Sequence, residues 1–393
     1  MKKTFIALAI MMSGVIGIGG NYVLASPVVD AHKQEIKLSV EKDKKQMPLR
    51  MYRQRLSNSE AAAKLQGAYG FRYSEMLRLL NIGHSYEDMN TACLYAYLTG
   101  VSVEKILQLR IPTTWGRVRV QLGLTPAVYA DKYVEYQVSY MMNNSLVGRD
   151  AAVKYLKQGY PLSDILQAEK LSKVSDRTLA EILSMRTVTC DWQQVKIKLG
   201  LNTGNEKDIR SGRGQRKGAG FAGLHVKNMT AQRAANIFHA DYLFPKEELL
   251  QLYEKYGYED LEDICLHAYM SKRSLQEIIT LRDKYSWERM KYVIGLNPQT
   301  YFERCVDYQA RRLYERMAIP KKVTKKYMYN GYAMHHVNTA YLLAQKANKN
   351  IDEVIDMKTP KNSWTDVALK IGLTAEDSEQ IKNKISKEFG RHE

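Results

Sequence analysis

Cysteine is scarce in this chain, with four residues in 393, and that excludes a small scaffold stapled by disulfides. Nine prolines and 24 glycines are too few for a collagen-like or low-complexity protein. After residue 25 no apolar run is long enough to cross a bilayer. Motifs that carry familiar chemistry are missing too. There is no Cys-x-x-Cys or His-Glu-x-x-His to hold zinc, no Gly-x-Ser-x-Gly nucleophile turn and no phosphate-binding P-loop. His335 and His336 are adjacent, so on a helix they point about 100° apart and do not readily share one ion. These absences leave no catalytic residue, no metal and no cofactor to nominate. Cys93, Cys190, Cys265 and Cys305 show no spacing that favours a disulfide pairing.

What is present is a large basic globular chain. It is 45% hydrophobic and 26% charged, with 59 Lys+Arg against 42 Asp+Glu and a net charge of +17. At the start, Lys2 and Lys3 precede an uncharged, mostly apolar stretch, and Val23-Leu24-Ala25 gives a small-residue cleavage pattern before Ser26. The expectation is an export signal over residues 1–25, either cleaved or kept as an anchor. A lysine-rich lead-in covers 26–50. The expected location is therefore outside the cytoplasm: secreted, periplasmic or bound to the envelope.

The four tryptophans reveal an internal repeat. Trp115, Trp192, Trp287 and Trp364 each have glycine eight residues later (Gly123, Gly200, Gly295, Gly372) and leucine after it. The residue before each is Thr114, Asp191, Ser286 or Ser363, all side chains that can accept a hydrogen bond from a free N–H at a helix start. Apolar residues at i, i+3 and i+7 share a helix face, and glycine supplies the left-handed stop. Each motif thus predicts a two-turn helix with tryptophan in its first turn. A second helix is expected before each, starting after Ser102, Thr178, Ser274 and Asn350. Glu181, Glu277 and Glu353 fit a capping box, and Lys105 breaks it. Further upstream Gly83-His84, Gly159-Tyr160, Gly257-Tyr258 and Gly331-Tyr332 each open another helix, so one unit reads as about three short helices.

The units also pair in sequence. An offset of 172 residues relates Trp115 to Trp287, Trp192 to Trp364, Tyr129 to Tyr301 and Gly159 to Gly331. The expected fold is all-α, with four tandem units in two duplicated halves, 51–202 and 229–393. Residues 203–228 between them are rich in glycine and arginine and read as a connector. The tryptophan helix after a capped helix resembles the helix-turn-helix of DNA-binding domains. The whole pattern from Gly-Tyr to Leu-Gly-Leu resembles exported bacterial helical-repeat proteins of unassigned activity. That likeness implies a helical fold and nothing about chemistry.

Features that recur in every unit most simply serve folding, so the tryptophans are read as core. Glu87-Asp88 and Glu259-Asp260 recur as well and fit the charge preference of helix starts. Tyr129, Tyr133, Tyr136 and Tyr140 form a stripe at helical spacing and also read as core. One feature does not recur. Residues 303–332 hold eight basic side chains against three acids, whereas the matching window 131–160 holds four against three. The candidate binding residues are therefore Arg304, Tyr308, Arg311, Arg312, Lys321, Lys322, Lys325 and Lys326, with Arg304, Tyr308, Arg311 and Arg312 sharing a helix face by spacing. Such residues suit a phosphate or carboxylate polymer. The expected function is a non-enzymatic exported binding or scaffold protein for an acidic envelope polymer or a protein partner. The alternative is nucleic-acid binding through the helix-turn-helix-like units.

Overall fold

A computed structural model describes residues 56–142, 147–201 and 229–389. The expected export signal, the lead-in and the whole connector lie outside the described residues. Within them the fold is all-α, with twenty helices and no strand. None of these helices is long and apolar enough to cross a membrane.

The first repeat comprises α1 (Asn58–Tyr69), α2 (Tyr73–Asn81), α3 (Tyr86–Thr99), α4 (Val103–Arg110) and α5 (Trp115–Gln121). The second comprises α6 (Pro126–Met142), α7 (Arg149–Lys157), α8 (Leu162–Ser172), α9 (Leu179–Met185) and α10 (Trp192–Lys198). The third comprises α11 (Ala231–Tyr242), α12 (Lys246–Ser271), α13 (Leu275–Arg282) and α14 (Trp287–Val293). The fourth runs from α15 (Pro298–Met317) through α16 (Lys321–Tyr329), α17 (Met334–Lys346) and α18 (Ile351–Asp356) to α19 (Trp364–Lys370), and α20 (Ala375–Phe389) follows. Helix α12 is broken at Gly257, whose φ of 72° and ψ of −173° are not helical, so it stands for two helices. A repeat is thus five helices rather than three. The two extra ones precede the Gly-Tyr turn, where the four copies differ most in sequence.

The local signals act as their chemistry requires. Thr114, Asp191, Ser286 and Ser363 cap α5, α10, α14 and α19 by accepting backbone N–H bonds. Gly123, Gly200, Gly295 and Gly372 all have positive φ. The leucine N–H that follows reaches back to close the helix end, as from Leu296 to Lys291 at 2.7 Å. Capping boxes form at Thr178–Glu181 and Ser274–Glu277. None forms at Asn350, whose amide oxygen instead accepts from the N–H of Asp352, two residues on, at 2.8 Å. Ser274→Ala removes an acceptor for the Glu277 N–H and should cost about 1 kcal/mol, read as a drop in the thermal midpoint.

The tryptophans occupy equivalent positions, each the first residue of its seven-residue helix, and all four are half-buried. Three of them are held by polar or charged neighbours. The Trp115 indole N–H donates to Asp88 at 2.9 Å and that of Trp192 to Asp164 at 3.3 Å. A cation lies over three of the rings: Arg110 at 5.5 Å from Trp115, Arg186 at 5.9 Å from Trp192 and Arg282 at 5.0 Å from Trp287. Asp88 therefore serves the fold twice, in the first turn of α3 and as the indole acceptor.

Two compact units result, and they cut across the two sequence halves. One joins the described residues up to Leu124 with those from Gln309 on; the other is Thr125–Tyr308. The first unit thus contains the first repeat, with fully buried Met76, Leu79, Met89 and Ile106, and most of the fourth, with fully buried Val337. The second contains the second repeat, with fully buried Ile165 and Ile182, and the third, with fully buried Leu261 and Ile278. Burying each such side chain contributes roughly 1.5–3 kcal/mol.

Candidate binding site

The eight basic-window residues lie in different surroundings. Arg304 and Tyr308 belong to the Thr125–Tyr308 unit, and the other six belong to the other unit. Tyr308 is not a surface residue: it is 1% exposed, stacked on Tyr242 at 5.4 Å and edge-on to Tyr269 at 5.5 Å. The reason lies in α15. Its buried positions, from Tyr301 to Met317, sweep an arc of roughly 200° at 100° per residue, far wider than one amphipathic stripe. Tyr308 falls on the rim of that arc and turns inward.

The neighbouring cations are largely engaged. Arg311 pairs with Glu315 at 2.8 Å. Arg312 and Arg316 each lie 5.3 Å from the Phe389 ring, and Lys321 lies 5.3 Å from Tyr314. Lys326 holds Asp352 at 2.8 Å, and that carboxylate also accepts from the Tyr327 hydroxyl at 2.6 Å. Lys322 is exposed, and Lys325 is half-buried.

Arg304 leads to a different place. It lines a cleft of about 490 Å³ with Tyr242, Tyr269, Met270, Lys272, Arg273 and Asp307, all within the Thr125–Tyr308 unit. The stacked Tyr242–Tyr308 pair and Tyr269 support its floor. Arg273 is held by Glu277 at 3.4 Å. Lys272 and Arg304 pair with no described carboxylate. Lys272 caps α12 with φ 58°, left-handed backbone that costs an L-residue roughly 1–2 kcal/mol. Nearby Leu243 caps α11 with φ 66° and is 64% exposed.

The 172-residue offset supplies the control. Lys272 and Arg273 correspond to Gly100 and Val101, Arg304 corresponds to Lys132, and Tyr242, the last residue of its helix, matches Tyr69. Gly100 has the same left-handed backbone, φ 75°, without strain. The third repeat therefore carries lysine where its duplicate carries the residue that the backbone prefers. Sequence reasoning missed Lys272 because it weighed charge within one window. Comparing Gly100-Val101 with Lys272-Arg273 would have found it.

Other candidates are absorbed by the fold. Along the tyrosine stripe, Tyr129 and Tyr136 are buried, and Tyr133 packs between them at 5.9 and 5.8 Å. The four cysteines are free, buried thiols. Cys93 lies 3.4 Å from the Met76 sulfur, and burial pushes its thiol up to about 12. Of the helix-turn-helix-like pairs, α5 and α14 each have a glycine turn of another repeat lying against them, Gly331 and Gly159. Comparison with known protein families and with characterised proteins gives no match to this chain.

Proposed function

We propose that this is a non-enzymatic, exported helical-repeat protein that binds an acidic polymer, with the Lys272–Arg304 cleft as its anionic subsite. The observation that carries the reading is Lys272 beside Arg304 in one tyrosine-lined cleft, where the duplicated sequence keeps a lysine, Lys132, for Arg304 but has Gly100 for Lys272. A phosphate or carboxylate would find two charges there, and the rings offer an apolar wall to the rest of the ligand. The strained backbone of Lys272 adds weight, because local strain is retained where it positions a working side chain. Export rests on Lys2, Lys3 and the apolar stretch ending in Val23-Leu24-Ala25, and fractionating native cells tests it.

The binding test uses the full chain, since neither sequence half is a compact unit. Binding to poly(glycerol phosphate), heparin and duplex DNA is measured across a salt series. Lys272→Gly with Arg304→Ala should weaken binding about tenfold or more and lower the salt slope by about 2. Lys272→Gly alone should also raise stability by about 0.5–1 kcal/mol, since glycine relieves the left-handed strain. Unchanged binding in the double variant would sink the cleft reading. Tightest binding to DNA, indifferent to these two residues, would favour the nucleic-acid alternative.

A further inference from the structure

One contact is made twice in this molecule, once inside each compact unit. In the first unit Gly116, on α5, lies against Gly331, at the turn after α16. Beside it the Arg117 guanidinium sits 4.4 Å from the Tyr332 ring and pairs with Asp356 at 2.6 Å. In the second unit α14 lies against Gly159, at the turn after α7. Arg289 sits 4.1 Å from the Tyr160 ring and donates to the Gln158 carbonyl. The residues correspond at the 172 offset: Arg117 with Arg289, Gly331 with Gly159 and Tyr332 with Tyr160.

The contact has two distinct faces. The key is the tryptophan helix of the first repeat in each half, and its arginine is replaced by Gln194 and Asp366 in the other repeats. The socket is the Gly-Tyr turn of the second repeat in each half. The equivalent glycines of the other repeats, Gly83 and Gly257, have open space where a side chain would go. Each sequence half therefore carries one key and one socket, and the structure never joins the two within a half. The key of the first half enters the socket of the second, and the key of the second half enters the socket of the first.

We infer that this reciprocal contact is an association interface between the two halves, each half being a module whose partner is another copy of itself. The covalent connection through 203–228 is then a tether and not a structural requirement. Two contacts in parallel make the second effectively intramolecular once the first has formed, so the halves should stay together after the tether is cut.

The test starts from the folded full chain with a specific protease site placed between Leu201 and Met229. After cleavage the two fragments should elute together at the size of the uncut protein, with unchanged helicity. Oxidised Arg117→Cys/Tyr332→Cys and Arg289→Cys/Tyr160→Cys variants should each tie the cut fragments into one covalent species. Arg117→Cys/Tyr160→Cys, which would join key and socket of the same half, should give no disulfide by mass spectrometry. Disabling one socket with Gly331→Val should weaken the association of the cut fragments by about 10²-fold or more. Separation of the wild-type fragments, loss of their folded signal, or a disulfide in the 117/160 variant would overturn the inference.

Discussion

Gly331→Ala should destabilise the protein by about 2–5 kcal/mol, whereas Gly83→Ala should cost only about 1–2 kcal/mol. Both glycines have positive φ, 84° and 104°, so both substitutions incur the left-handed penalty. Only at Gly331 would the new Cβ also run into the backbone of Gly116 and come within 2.8 Å of the Arg117 nitrogen. Backbone cannot swing aside as a side chain can, so the socket must open or the key must withdraw. Gly159 should fall between these cases. Its added Cβ meets the Tyr292 ring, with Cε2 at 2.9 Å, and the Glu288 carbonyl at 3.2 Å. Gly257, with φ 72° and open space around it, should behave like Gly83. Denaturant midpoints of the four variants give the ranking. Equal losses at all four would mean that the turn conformation alone matters and that the key-and-socket contact contributes nothing.

The second large effect is a pair of opposite pH dependences within the third repeat. His267 is 3% exposed, stacked on Trp287 at 4.7 Å, with Nδ1 2.7 Å from the Asp263 carbonyl oxygen. Burial, with the nearby Lys291 charge, pushes its imidazole down to about 3. The unfolded chain therefore takes up the proton first, and the contribution of His267 to stability is lost as pH falls below about 6.5. The side chain of Asp263 has the reverse bias. Burial first, then Glu262 and Asp260, push it up to about 7 against the pull of Lys291 and Arg282. The folded state holds that proton more tightly, so Asp263 favours the fold at low pH and costs stability as pH rises toward 7. In the wild-type protein the two slopes oppose each other between about pH 4 and 6.5.

Substitution should expose each slope at roughly 1 kcal/mol per pH unit or less. Asp263→Asn should be more stable than wild type at pH 8 and lose that advantage on acidification. His267→Tyr, which installs the residue found at Tyr95 in the duplicate, should gain on wild type as pH falls from 7 to 5. Tyr95 packs edge-on against Trp115 at 5.6 Å, so the ring has a precedent in this fold. Urea titrations at four pH values from 5 to 8 measure both trends. Parallel pH profiles for the two variants would refute the assignment.

Much of this architecture was written locally. The four tryptophan helices, their Thr, Asp and Ser caps, and the glycines that end them follow from a few residues each, because a helix terminus needs its free N–H and C=O groups answered nearby. Half-burial of the tryptophans was less legible, since the indole acceptors Asp88 and Asp164 lie two helices upstream, although the arginines over the rings are only five or six residues away. The candidate binding residues were read least well. Spacing alone put Tyr308 beside Arg304 on a basic face, but the buried arc of α15 is set by everything packed around that helix, and Tyr308 went inside. Lys272 emerged only when the fold brought the end of α12 beside α15.

The sequence by itself determined the repeat, the duplication and the chemistry of both contact faces: Arg117 and Arg289 on the keys, Gly159-Tyr160 and Gly331-Tyr332 in the sockets. It could not determine which key meets which socket. Arg117 on Tyr160 and Arg117 on Tyr332 are the same cation–ring contact between the same residue types, although the Tyr332 socket adds Asp356 where the Tyr160 socket has Ser184. Only the tertiary structure decided for the exchanged pairing. It is the arrangement in which the first repeat shares a compact unit with most of the fourth, and the second with the third.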